Sequence, residues 1–147
     1  PDRVGTWVMA QNDAVWLPGQ GNCIGVEDSA GRLIAGIAFD NYNVASIQIH
    51  VAALPGKNWI SKELLWQVFS YPFHRLQVKK LIGLVGSTNE EALRFDLSLG
   101  FQLEATLKDA YPDGDLLVLS MTQDQCRWLD IKEKGHLNGK EIHSSAT

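Results

Sequence analysis

The chain has 147 residues, 45% of them hydrophobic and 20% charged, which is enough for one domain with a sizeable core. Its net charge is −4, and Lys79-Lys80 is the one tight basic pair among 13 Lys and Arg; this excludes a general phosphate-backbone binder, and no nucleic-acid partner is expected. No apolar run approaches the ~18 residues of a bilayer span and no leader pattern opens the sequence, so the expectation is a cytoplasmic protein without membrane contact.

The two cysteines, Cys23 and Cys126, stand far apart and have no metal-ligand spacing. They are expected to be free thiols, and no metal site is expected. Residues 4–9 (VGTWVM) predict a short strand, and 10–22 a loop punctuated by Pro18, Gly19 and Gly21, with room for one helical turn. Cys23–Glu27 and Leu33–Phe39 predict two strands joined by the turn residues Asp28-Ser29-Ala30-Gly31. After a turn at Asp40–Asn43, Ser46–Val51 alternates strictly. Ile47, Ile49 and Val51 face one way, and Ser46, Gln48 and His50 the other.

Ala52–Asn58 is a loop that opens a helix. Ile60, Leu64, Leu65, Val68 and Phe69 form its apolar stripe, Asn58 or Ser61 caps it, and Pro72 ends or kinks it near Tyr71. Leu81–Val85 reads as a buried strand. Asn89 then caps a helix over Glu90–Leu99, whose first turn carries Glu90 and Glu91 and which stops at Gly100. Phe101–Lys108 alternates again, with Phe101, Leu103, Ala105 and Leu107 on one face. Tyr111-Pro112-Asp113-Gly114 is a turn, and Leu116–Met121 a buried returning strand. Residues 123–133 predict a closing helix and 134–147 a loose polar tail, so a single domain is placed at 1–133. The order β, β, β, β, α, β, α, β, β predicts an α/β (α+β) fold: a mixed sheet with two helices.

Asn89-x-x-Ala92-x-x-Phe95 followed by Leu99-Gly100-Phe101 resembles the Asn-x-x-Ala-x-x-Phe-Tyr-x-x-x-Gly-Phe helix of the GNAT superfamily, the acetyl-coenzyme-A-dependent N-acyltransferases. The turn Tyr111-Pro112-Asp113-Gly114-Asp115, and Val51 followed by Pro55 and a helix bearing Leu64-Leu65, match the same family; the resemblance covers about residues 23–122. It implies a mostly antiparallel central sheet whose two parallel central strands splay apart, with helices packed on the sheet. It also implies acetyl-CoA as cofactor and an amine as acceptor. The cofactor would lie between Ser46–Val51 and Leu81–Val85, near Val51, Lys57, Asn58, Trp59, Ile60, Ser61 and Asn89, with its phosphates at a helix start.

Three positions depart from that family. Gly56, Trp59 and Ser61 stand where it carries Gln or Arg, Gly, and Gly or Ala, which sets the expectation that Trp59 fills the phosphate space. Asp96 stands where it carries a tyrosine that protonates the leaving thiolate; an aspartate is expected to be ionised at neutral pH unless strongly perturbed, and so a poor acid. In addition, the front of the chain offers only loop-like residues where the family has two helices that wall the acceptor site.

Two residues carry double readings. His50, on the polar face at the end of its strand and with an ordinary pKa near neutrality, is the candidate base; the other reading is a hydrogen-bonded strand histidine. Asn89 is a helix cap and also a candidate cofactor contact. Trp66 reads as a core or interface aromatic, and His74, His136 and His143 are given no role. A second resemblance, over fewer positions, is to the small internal virion proteins of short-tailed phages, through Asn89, Arg94-Phe95, Gly100 and Asp113-Gly114. The sequence thus leaves two functions open: an N-acetyltransferase, or the same fold as a catalytically inactive binding or phage-related structural module. A homo-oligomer is also left open.

Overall fold

The computed structural model describes residues 2–12, 14–19, 21–130 and 141–144, the last four by their backbone. Among the described residues, seven strands form one sheet in the order β5-β6-β4-β3-β2-β1-β7. They are β1 (Asn22–Glu27), β2 (Leu33–Asp40), β3 (Ser46–Ala53), β4 (Lys80–Gly86), β5 (Gln102–Tyr111), β6 (Gly114–Met121) and β7 (Glu141–Ser144). β3 and β4 pair in parallel; the other neighbours pair antiparallel.

Residues 4–9 are not a strand. They lie in a helix, α1 (Asp2–Gln11), which packs on one face of the sheet over β1, β2 and β3. Val4 and Val8, one turn apart, point inward with Gly5 and Met9. Gly36 of β2 lets the helix come close, since a Cβ there would lie 2.6 Å from Val8 Cγ2. The front of the chain therefore does supply a helix, which lies over β1, β2 and β3.

The other face carries α2 (Lys62–Ser70) and α3 (Glu90–Leu99). Ser61, not Asn58, caps α2: its Oγ accepts from Leu64 N at 3.1 Å. Pro72, which has no N–H to donate, sits in a π-helical turn at Tyr71–Arg75 that carries α2 to its end. α3 keeps the predicted bounds, with the Asn89 side chain accepting from Ala92 N and Gly100 left-handed at φ 114°. Between these helices and the sheet lies the main core, in which Phe39, Leu64, Phe69, Phe73, Leu81, Leu119 and Met121 are fully buried. Each such side chain contributes about 1.5–3 kcal/mol relative to exposure.

Three further expectations change. β5 is exposed along nearly its whole length, and a bulge between Leu103 and Ala105 breaks its alternation; Leu103 lies opposite Leu119, Leu107 opposite Leu116. The closing helix is replaced, within the described residues, by two short 3-10 turns, Gln123–Gln125 and Arg127–Asp130, the first fixed by a reciprocal cap between Thr122 and Gln125. Residues 141–144, assigned from sequence to the tail, run antiparallel to β1 as β7. Residues 131–140 and 145–147, which hold the rest of the predicted helix and tail, lie outside the described residues.

Candidate functional site

The central feature is where β3 and β4 stop pairing. Their register runs from Ser46 opposite Lys80 to Ile49 opposite Gly83 and ends there, although β3 continues to Ala53 and β4 to Gly86. Beyond that point β3 keeps its partners on β2, with Ile37 opposite Val51 and Ala35 opposite Ala53. β4 keeps its own on β6, with Leu84 opposite Val118 and Gly86 opposite Leu116. Each strand is held by its outer neighbour, so a fork opens between them with its vertex at Ile49 and Gly83.

The fork exposes backbone. Leu54 donates its N–H to the Ile34 carbonyl, so even-numbered residues of β3 address β2 and the alternation turns Val51 and Ala53 toward the fork. One of these groups already meets an amide: Asn12 Nδ2, at the end of α1, donates to the Val51 carbonyl at 3.3 Å and to the Val8 carbonyl at 3.2 Å. The far wall is the β5–β6 turn, tied to the end of β4. Ser87 N donates to the Asp115 carbonyl, Asp115 N to Ser87 Oγ, and Thr88 Oγ1 to Asp113 Oδ1. The Tyr111 ring lies directly on Gly86, where a Cβ would come within 2.3 Å of it.

Two titratable groups flank the vertex on opposite faces of the sheet. His50, next to Ile49, is opposite Ala38 on the face that α1 covers, and its Nε2 lies 2.8 Å from Asp40 Oδ1. Both side chains are mostly buried, 16% and 18% exposed. Asp40 was not singled out from sequence. Its only signal is the tight β2–β3 connection, which sets Asp40 opposite Gln48 and so diagonal to His50 on one face.

On the other face, Asp96 of α3 looks onto the vertex from above: a Cβ on Gly83 would be 3.8 Å from Asp96 Oδ2. Asp96 is half-buried, and burial alone pushes its pKa up to about 7. Asp96 therefore meets the exception allowed from sequence, that of a strongly perturbed aspartate. Sequence gave its position but not its surroundings, and the surroundings decide its charge.

No protein-family model and no curated protein sequence matches the chain. Solved structures do. A single-residue variant of spermidine N-acetyltransferase from Vibrio cholerae superposes with a TM-score of 0.62 at 21% identity, over 77% of this chain and 70% of that one. The dodecameric structure of spermidine N-acetyltransferase from Vibrio cholerae in an intermediate state gives 0.62 at 20% identity, over 74% and 68%. The fold is that of the GNAT acetyltransferases.

On this GNAT framework the residues singled out from sequence divide into three groups. Val51 and His50 stand at the fork. Lys57, Asn58 and Ile60 are exposed on the loop before α2, and the Ser61 hydroxyl is spent on capping that helix. Trp59 is not on the surface of that loop. It is 9% exposed, part of the main core, with its ring centroid 5.9 Å from that of Phe95. The Asn89 side-chain oxygen is committed to the α3 cap.

Among the described residues no group of three or more His, Cys, Asp or Glu is placed to hold a metal, and no helix is long and apolar enough to cross a membrane. Both cysteines are buried, and burial pushes the Cys23 thiol up to about 11, far from a reactive thiolate.

Proposed function

We propose that the chain is an acetyl-CoA-dependent N-acetyltransferase that works in the β3–β4 fork. The observation that carries this reading is the fork itself, with β3 backbone turned into it and a histidine–carboxylate pair at its vertex. The residues fit an amide-bearing cofactor arm: the Val51 carbonyl already accepts from one amide, that of Asn12. Val51 and Ala53 would hold the arm in the manner of an added strand, and Lys57 with the exposed start of α2 would face its phosphates.

Bound there, acetyl-CoA supplies an acyl group already activated as a thioester. The remaining work is positioning an amine and taking its proton. Nε2–H of His50 bonds to Asp40, which fixes the tautomer and leaves Nδ1 as the proton acceptor. The acceptor is an amine reaching His50 from the α1 side of the sheet.

Calorimetric titration with acetyl-CoA, followed by an acetylation assay over a panel of amines, tests the reading. Micromolar binding with turnover supports it, and absence of binding at millimolar ligand ends it. One observation favours the alternative, a non-catalytic module of the same fold. Trp59, packed in the core, and Ser61, whose hydroxyl caps α2, sit where the resemblance calls for Gly and for Gly or Ala, so the loop before α2 lacks the family's small residues. Binding of acetyl-CoA without transfer to any amine would select that alternative.

A further inference from the structure

We propose that the acceptor is a monoamine with an apolar body, laid across the open half of the α1 face of the sheet with its nitrogen at His50. The inference rests on the acetyl-transfer reading above and adds the chemical class of the acceptor and the residues that select it. It starts from what α1 leaves uncovered. α1 lies over β1, β2 and β3, whereas on the same face of β4 and β5 Leu84 and Leu107 are 39% and 47% exposed.

Strand register gives the lining of this surface. Ile49, Val85 and Leu119 belong to the main core, so their neighbours His50, Leu84 and Val118 point the opposite way. His50 and Leu84 are the first residues past the vertex of the fork, one on each arm. Val118 stands opposite both Leu84 on β4 and Ala105 on β5, and Leu116 opposite Gly86 and Leu107. An apolar row therefore runs from His50 through Leu84 and Val118 to β5. The two strand spacings from β4 to β5 span about 10 Å, the reach of an extended octyl chain. The Tyr111 ring, resting on Gly86, bounds the row on one side. Lys80, Glu104 and Ser120 bound it on the other, with Glu104 Oε1 2.7 Å from Lys80 Nζ and 2.6 Å from Ser120 Oγ.

Charge on this surface is one-sided. The Asp40 carboxylate lies at the His50 end, where it attracts an ammonium arriving from solution. Glu104 is matched by Lys80, and at the β5–β6 turn Asp113 accepts from Thr88 Oγ1 and Asp115 from Asp109 N. The row ends on Ala105 and Leu107. A second ammonium at the far end of an acceptor would lie against their methyl groups and lose hydration there. The same apolar floor favours a neutral amine over its ammonium, and the neutral amine is the form that attacks.

The test measures kcat/KM with acetyl-CoA for propylamine, octylamine and diaminooctane, which is octylamine with a second amine at its far end. Wild type should prefer octylamine to propylamine by about thirtyfold, the effect of half-burying its extra methylenes. It should prefer octylamine to diaminooctane by about tenfold or more. Leu84→Ala should cut the octylamine-to-propylamine ratio about fivefold, through KM. Leu107→Glu, which sets a carboxylate at the far end, should bring diaminooctane level with octylamine or ahead of it. Methyl NMR of the CoA-bound protein is a second readout, in which octylamine should shift Leu84, Val118 and Leu107 saturably. An octylamine-to-propylamine ratio near one, a wild-type preference for diaminooctane, or methyl shifts confined to other residues overturns the inference. Absence of acetyl-CoA binding, or binding without transfer to any amine, instead overturns the underlying acetyl-transfer reading, and the two failures are thereby told apart.

Discussion

His50 Nε2 and Asp40 Oδ1 are 2.8 Å apart on neighbouring antiparallel strands, one residue beyond the point where β3 parts from β4. The contact ties the histidine's ring to β2, and its other nitrogen makes no hydrogen bond among the described residues, as the proposed general base requires. A purely structural pair would hold the hairpin together and do no more. His50→Ala is expected to lower kcat by about a hundredfold or more. Asp40→Asn, which keeps the shape and removes the charge, should give a smaller loss in kcat with acetyl-CoA binding unchanged. The check is kcat and calorimetric Kd measured on the same samples; unchanged kcat in both variants assigns the pair to structure.

Asp96 makes a second prediction, about stability. Its folded pKa, about 7, lies above the 3.8 of an unperturbed aspartate. Below pH 3.8 both states are protonated and the residue costs nothing. As pH rises from about 4 to 7 the unfolded chain releases this proton and the folded chain does not, so stability falls across that window and then levels off. The cost reaches at most about 4 kcal/mol. Asp96→Asn should therefore unfold at a higher urea concentration than wild type at pH 8 and at nearly the same one at pH 4. Equal midpoints at both pH values would show that the carboxyl is not destabilised by burial.

Trp59 gives a third. Its ring is part of the core against Phe95, so Trp59→Ala should cost about 3–5 kcal/mol in urea unfolding. Restoring a small residue at the loop before α2 would then come at the expense of the fold. A Trp59→Ala protein as stable as wild type would place the ring outside the core.

The Asn89 cap offers a fourth, of smaller size. Its side-chain oxygen satisfies the Ala92 N–H at the start of α3, and Asn89→Ala should cost about 1 kcal/mol. A loss of acetyl-CoA affinity beyond what that destabilisation explains would add a binding role to the capping one.

Legibility from sequence followed the range of the interactions concerned. α3 was readable to the residue because its signals are local: Asn89 before it, acidic residues in its first turn, Gly100 after it. β3 was readable from its two-residue alternation. α1 was not, since Val-Gly-Thr-Trp-Val-Met is short enough to satisfy a strand pattern, and it is Gly25 and Gly36 on the sheet that make room for a helix over it. Within the site, His50 was visible as a polar residue on an alternating strand, while its partner Asp40 depended on strand register. The charge of Asp96 depended on burial by Phe101 and the vertex, which no local pattern encodes. Trp59 likewise became a core residue through Phe95, thirty-six positions along the chain.

The central claim, that the β3–β4 fork receives the cofactor, is tested most directly by amide NMR of the labelled protein during titration with acetyl-CoA. The account predicts saturable shifts at Val51 and Ala53 on β3, at Leu84–Gly86 on β4 and at Lys57–Ser61 before α2, with β1 and β7 unmoved. An unperturbed spectrum at millimolar acetyl-CoA, or shifts confined to residues away from the fork, would contradict it.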